Sequence, residues 1–296
     1  MTNDAVMLLG GGGFIGTALA KRLQLEKIPV FSIGRNNGEL IAQALPKCST
    51  VVHLASTTTP GSSANNPQLE LENLSLTLSL LEKLQQQPQT HLIYFSSGGT
   101  VYGNSSKIPV SESGLTVPMS HHGAGKVAQE NFCSVLRGRG QLVTILRPSN
   151  AYGPGQALRH GFGLIRTMME HARLGTTLEI WGDGENVRDY IYIDDIVEAT
   201  LRLIQRRQDS DTYNLGSGVG YSVNQIKDAV EAICNTKLKA TYHQARGIDV
   251  RNVVLDNTHL VAKLSWKPAI TLTQGLETTW GGLRQSHERP SATNDL

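Results

Sequence analysis

A chain of 296 residues is long enough to bury a large core, in one big domain or two unequal lobes. Apolar residues at 39% and charged residues at 18% exclude a disordered or fibrous chain and suit an ordinary globular one. A formal net charge of +2 gives no bulk electrostatic reason to expect a nucleic-acid or membrane partner.

Val6 to Leu9 is a continuous apolar run suited to a strand buried on both faces. Asp4 precedes it, no basic residue does, and it ends in glycines rather than at a cleavage site, so it is not read as a secretory signal. No apolar stretch is long enough to span a bilayer. Cys48, Cys133 and Cys234 are odd in number, widely separated and without zinc-site spacing. A soluble cytoplasmic protein with reduced thiols and no metal is expected.

Phe14 to Lys27 follows as a helix with Ile15, Leu19 and Leu23 on one face. Strands are predicted over Pro29–Ile33, Val51–Leu54 and His91–Phe95. The last two are separated by a helix over Leu69–Gln86 that carries leucines at 71, 74, 78 and 81. A helix around Lys126–Leu136 and a strand over Leu142–Leu146 come next. This alternation predicts an α/β, Rossmann-type doubly wound parallel sheet over residues 1–150, with right-handed crossovers. From Arg35 to the third strand the chain has room for a short helix and little more, so an edge strand is expected to be missing. After Asn150 the rhythm changes to glycine-rich loops and short strands, as in a smaller substrate-binding C-terminal lobe over 151–285. The strand Thr212–Leu215 and the helix Val223–Cys234 are assigned to it, and 286–296 read as a disordered tail. No internal repeat is found. Asp194-Asp195 resembles a metal pair, but it opens a helix, so capping is preferred to coordination.

Between the first strand and helix stands Gly10-Gly11-Gly12-Gly13-Phe14-Ile15-Gly16. Glycines at 10, 13 and 16 supply a tight turn, close backbone approach to a pyrophosphate and close helix–strand packing, while the helix start at Phe14 and Ile15 offers free N–H groups. The expected cofactor is therefore NAD or NADP. The second strand ends in Ile33-Gly34-Arg35-Asn36 with no acid for the ribose hydroxyls, and Arg35 can pair with a 2′-phosphate, which leans the reading toward NADP.

Further landmarks follow in order: Val52-His53-Leu54-Ala55, Asn73, Ser96-Ser97-Gly98-Gly99-Thr100-Val101-Tyr102-Gly103, His122-Gly123-Ala124-Gly125-Lys126, Arg147-Pro148-Ser149-Asn150, Trp181 to Tyr190, Tyr213 to Gly216, and Arg246-Gly247-Ile248-Asp249. In order and spacing they resemble the extended short-chain dehydrogenase/reductase family of the NAD-dependent epimerase/dehydratase type, especially UDP-glucose and UDP-N-acetylglucosamine 4-epimerases. The resemblance implies cofactor contacts from Leu54, Ala55, Asn73, Lys126 and Pro148 beside the glycine turn. It also implies a hydroxyl at the sugar, assigned to Ser97 with Thr100 as second choice. Asn150, Arg188 and Arg246 would meet a substrate diphosphate, and Asp249 would meet the nucleotide ribose. Two guanidinium forks suit a diphosphate; surface salt bridges such as Arg188 with Asp189 or Arg246 with Asp249 are the competing reading. A homodimer through the helices holding Leu74–Leu81 and Lys126–Leu136 is implied as well, although those leucines could equally pack internally.

At two positions the chain departs from the pattern: the hydroxyl position falls on Gly98 or its neighbour Ser97, depending on register, and the tyrosine position is changed as well. The family's catalytic tyrosine falls on His122, four residues before Lys126 and so on the same helix face. Three readings compete: a replacement acid/base, since a neutral imidazole accepts a proton near neutral pH; a different chemistry; or a lost catalytic site. The expectation is a nucleotide-sugar epimerase acting at C4 of a UDP-hexose or UDP-N-acetylhexosamine through a transient 4-keto sugar. The alternatives are an NADPH-dependent nucleotide-sugar ketoreductase or dehydratase, and a binding protein without catalysis.

Overall fold

The five apolar residues Ala5–Leu9 form strand β1, and all five are buried because alternate side chains enter different cores. Val6 and Leu8 join one cluster and Met7 and Leu9 another, on opposite faces of the sheet. Each fully buried leucine of this kind contributes on the order of 2 kcal/mol. The structure is a computed structural model that describes residues 4–35, 37–159, 161–207, 210–247 and 249–288.

Helix α1 (Phe14–Leu25) leads to β2 (Val30–Ile33), then to α2 (Gly38–Ala44) and a single 3₁₀ turn, Leu45–Lys47. Next come β3 (Cys48–His53), α3 (Leu69–Leu84), β4 (His91–Phe95), the one-turn α4 (Gly98–Val101), α5 (His121–Gly138) and β5 (Val143–Pro148). The C-terminal part holds β6 (Asn150–Tyr152), α6 (Leu164–Leu174), β7 (Leu178–Trp181), β8 (Val187–Tyr192), α7 (Ile193–Arg206) and β9 (Thr212–Leu215). It continues through β10 (Gly220–Ser222), α8 (Val223–Cys234), β11 (Ala240–His243), β12 (Asn252–Val253), α9 (Thr258–Leu264) and α10 (Leu272–Glu288).

The large sheet is parallel throughout, in the order β2-β1-β3-β4-β5-β9. Strand β2 is the edge of this sheet, and the chain returns through α2 to β3 on the other side of β1. Winding reverses there, so the carboxyl ends of β1 and β3 open the crevice where such sheets bind ligands. Thr212–Leu215, expected in the C-terminal lobe, is instead the sixth strand of this sheet and pairs with β5 from Ile145 to Pro148. Its Tyr213 and Leu215 are fully buried, a position the smaller lobe would not offer. Helix α7 likewise packs beside α1, so the chain returns to the large sheet after residue 150.

Beyond the sheet's carboxyl edge, β8 pairs with β10 and β12 through its first half and with β6 through its second. A parallel pair, β7 and β11, lies alongside. Helix α10 runs to Glu288, three residues into the segment expected as a tail, and 289–296 lie outside the described residues. Asp195 is not a cap of α7, whose N-cap is Tyr192. Its carboxylate accepts from the N–H groups of Ala269 at 2.8 Å and Ile270 at 3.2 Å, anchoring the approach to α10. The three cysteines are free and buried. Among the described residues no helix is long and apolar enough to cross a membrane, and no cluster of side chains is suited to a metal.

Candidate active site

The glycine turn is shaped by its neighbours. Gly10 has φ of +92°, and a Cβ there would meet the Ala55 backbone nitrogen at 2.7 Å, so Ala55 at the end of β3 closes against the turn. A Cβ on Gly16 would stand 2.5 Å from the Gly10 carbonyl oxygen, with no flexible atom to yield. Gly13 caps α1 without any side-chain partner, and the first turn of Phe14 and Ile15 carries no acid. Unclaimed N–H groups at a positive dipole end fit a pyrophosphate. Leu54 follows β3 and hydrogen-bonds through its N–H to the Leu9 carbonyl at 2.8 Å, while Pro148 ends β5, buried. Arg35 lies in an exposed turn.

Helix α5 brings His122 and Lys126 to one buried face, as their spacing requires. Ser120 starts the helix by accepting from the Gly123 N–H at 3.1 Å. A Cβ on Gly123 would lie 2.6 Å from the Thr100 carbonyl oxygen, so α4 packs directly on this first turn. Half-buried Ser97 caps α4, and the Thr100 hydroxyl turns back toward the Ser97 carbonyl at 3.4 Å. Asn150 approaches the same turn, its side chain 3.7 Å from where a Gly99 Cβ would stand, and donates to the Asp189 carbonyl at 2.9 Å. Cofactor-side and substrate-side candidates therefore meet around α4.

Lys126 is buried, donates from Nζ to the Phe95 carbonyl at 2.9 Å and lies 5.1 Å from the centre of the Tyr94 ring. Burial pulls its ammonium down to about 8, against the raising influence of Glu70 and Glu130. His122 is 7% exposed, and its Nδ1 lies 3.0 Å from the Thr58 hydroxyl oxygen and 3.8 Å from Glu70 Oε1. Burial lowers the imidazole from its ordinary value, the facing Glu70 carboxylate raises it, and Lys126 lowers it. The net direction is downward, toward the neutral imidazole.

Asn73 is turned inward. Its amide donates to Thr58 Oγ1 at 2.9 Å and Glu70 Oε2 at 3.1 Å, while its carbonyl accepts from the Thr57 N–H at 2.8 Å and the Thr57 hydroxyl at 3.1 Å. With these four bonds filled, Asn73 braces the loop after β3 rather than presenting a free amide. The seam between α3 and α5 continues through Thr77, whose Oγ1 lies 2.7 Å from Gln129 Oε1 and 2.9 Å from His53 Nε2. Glu70 and Thr58 were not singled out from sequence. The signal available was helical register, because Glu70, Asn73 and Thr77 recur on one face of α3.

On the substrate side, Arg188 is partly buried with no carboxylate within ion-pair distance among the described residues; Nη1 donates to the Val187 carbonyl at 2.8 Å. The alternative pairing of Arg188 with Asp189 is not found. Asp189 is fully buried and accepts from the N–H groups of Ser217 at 2.9 Å and Gly218 at 3.1 Å, shaping the loop after β9. Arg246 does pair with Asp249, at 3.0 and 3.3 Å, and its guanidinium sits 5.2 Å from the centre of the exposed Trp181 ring. Asp249 also acts electrostatically on Arg188, so the three expected groups share one neighbourhood.

The chain resembles known proteins along most of its length. The chain is 31% identical to a UDP-glucose 4-epimerase of Mycolicibacterium smegmatis, over 81% of this chain and 77% of that protein. It is 28% identical to a dTDP-4-dehydro-6-deoxyglucose reductase of Escherichia coli, over 93% and 96%. The crystal structure of a Thermotoga maritima UDP-glucose 4-epimerase with UDP-glucose superposes with a TM-score of 0.88 at 29% identity, covering 96% of this chain and 100% of that one. A Thermus thermophilus UDP-glucose 4-epimerase in complex with NAD gives 0.86 at 26%, covering 95% and 99%. The lean toward NADP drawn from Arg35 finds no support in these relatives. The sequence profile of the NAD dependent epimerase/dehydratase family matches residues 6–216, from β1 to the end of β9, and the chain belongs to that family.

Proposed function

We propose that the chain is an NAD-dependent nucleotide-sugar epimerase that inverts C4 of a UDP-hexose or UDP-N-acetylhexosamine. The observation that carries this reading is the buried pair His122 and Lys126 on one face of α5, a helix whose first turn packs against the turn that starts at Ser97. When bound, NAD would supply a reversible hydride acceptor for C4, so that inversion through a 4-keto sugar would leave no net redox change. His122 takes the C4 hydroxyl proton and gives it back, acting as general base and then acid. Ser97 holds the hydroxyl in line, with Thr100 beside it. Lys126 contributes fixed positive charge and orients the nicotinamide ribose. Gly10, Gly13, Gly16 and the N–H groups of Phe14 and Ile15 hold the pyrophosphate, between Leu54, Ala55 and Pro148. Asn150, Arg188 and Arg246 receive the substrate diphosphate, and Asp249 its ribose. Exposed Leu71 and Leu78 on α3, with Phe132 and Val135 on α5, form an apolar face that suits a homodimer.

Similarity to a reductase supports a second reading, net ketoreduction of a nucleotide-sugar. Proton NMR of UDP-glucose and UDP-N-acetylglucosamine incubated with the protein and NAD separates the two. C4-inverted product without net cofactor turnover is expected. Stoichiometric oxidation of reduced cofactor against a 4-keto sugar, with no inversion, would replace the epimerase by the reductase. A His122→Tyr variant active where the native protein is silent would assign the native site another chemistry.

A further inference from the structure

Glu70 is a carboxylate in an unusual place. It lies on α3 with 9% of its surface exposed, on the face turned toward α5. The opposing helix makes room for it: a Cβ on Gly125 would come within 2.8 Å of Glu70 Oε2 and 3.3 Å of its Cβ. Asn73 donates to Oε2, whereas Oε1 is buried, has no hydrogen-bond partner among the described residues and lies 3.8 Å from His122 Nδ1. A buried unpartnered carboxylate oxygen carries a substantial desolvation cost, and a site retains it where a cation forms beside it. The nearest group able to become that cation by gaining a proton is His122.

We propose that Glu70 is the positioning carboxylate of His122: it holds the proton on Nδ1, leaves Nε2 as the acceptor, and stabilises the imidazolium formed when Nε2 takes the sugar hydroxyl proton. This rests on the reading of His122 as the acid/base. An ionised carboxylate only accepts, so a lone pair on Nδ1 would face negative charge, while an Nδ1–H faces an acceptor. The Thr58 hydroxyl, 3.0 Å from Nδ1 and bonded to Asn73, fixes the ring from the same side. In the proton transfer the sugar O–H bond breaks, the Nε2–H bond forms, and the positive charge gained by the ring is opposed by Glu70. The arrangement follows the general logic of a carboxylate behind a catalytic histidine. Burial raises the Glu70 carboxyl, but the polar groups of His122, Thr58, Asn73 and Ser63 around it outweigh that and hold it at about 2, so it stays ionised throughout the working range.

The charged and titratable groups bearing on His122 are Glu70 from α3 and Lys126 from its own helix. Lys126 is in turn faced by Glu130 and Cys133 on α5 and by His53 on β3. Glu70→Gln keeps the shape and removes the charge. Two measurements on the whole protein test the proposal. The first is NMR titration of the His122 ring, assigned by difference against His122→Gln. In Glu70→Gln the midpoint is expected to fall by about one pH unit or more, because an opposing charge within ion-pair distance is lost. The second is the pH profile of C4 inversion. Here kcat is expected to fall about 10- to 100-fold with KM for the UDP-sugar nearly unchanged, and the acid limb to move to lower pH. Gly125→Ala, which pushes on Glu70 without touching its charge, is expected to lower kcat in the same sense. An unchanged His122 midpoint in Glu70→Gln overturns the pairing. A lowered midpoint with unchanged kcat overturns its role in the reaction. If the native protein inverts neither sugar, the epimerase reading fails, while the ring titration still decides the pairing.

Discussion

Removing Arg147 should loosen the helix that carries His122 and Lys126, and the size of the effect follows from its surroundings. The guanidinium grips Glu130 of α5, with Nε 3.0 Å from Oε1 and Nη2 2.6 Å from Oε2. Its Nη1 donates to the Tyr102 hydroxyl at 2.8 Å and the Glu112 carbonyl at 3.1 Å, and Tyr102 passes its own proton to Asn214 at 2.7 Å. Both charged side chains are less than a tenth exposed. Arg147→Met preserves much of the apolar stem but leaves a buried carboxylate without its cation, a loss of about 3–5 kcal/mol. At roughly 2.1 cal/mol/K of unfolding entropy per residue, a chain of 296 residues should lose roughly 5–8 °C in Tm. Scanning calorimetry near neutral pH is the assay. Adding Glu130→Leu should restore much of the loss, since a well-packed apolar pair can replace a buried ion pair. A coupling of less than about 1 kcal/mol in the double-mutant cycle would refute the reasoning, because the pair would then behave like an exposed one.

Lys126 loses its charge as pH rises through about 8, so turnover should decline on the alkaline side there, and Lys126→Arg should push that limb to higher pH in a pH–rate measurement. Gly16→Ala places a methyl 2.5 Å from the Gly10 carbonyl, and calorimetric titration should show NAD affinity reduced by at least about tenfold. Arg188→Ala removes a guanidinium that lacks a carboxylate partner, so KM for the UDP-sugar should rise by about tenfold or more with kcat little changed in steady-state kinetics. Phe132→Glu puts charge into the exposed apolar face of α3 and α5, and sedimentation velocity should then report a monomer.

What could be read from sequence was whatever is encoded locally. The glycine turn was legible because Gly13 and Gly16 sit against the backbone of Gly10, only a few residues away. Helix α3 was harder. Its leucines left dimer contact and internal packing both open, and in the structure Leu71 and Leu78 are exposed while Leu81, Glu70, Asn73 and Thr77 are buried. Only contact with α5 makes a polar face the inner one, and no pattern within α3 records what α5 offers. Asp189 misled for the same reason: next to Arg188 in sequence, it looks toward Ser217, Gly218 and Leu255 instead. Strand β9 is short and apolar, which suits either part of the molecule, and only its pairing with β5 decides.

The abbreviated sheet also bears on self-association. With β2 outermost, one side of a four-residue strand is left unpaired, and an open edge invites a strand from another molecule. Several features blunt it. Pro29 enters the strand with no N–H to offer, Lys47 reaches over the Phe31 ring at 5.9 Å, and the strand is too short to template a long partner. Lengthening β2, or replacing Pro29 and Lys47 with β-branched residues, would convert a quiet boundary into an adhesive one.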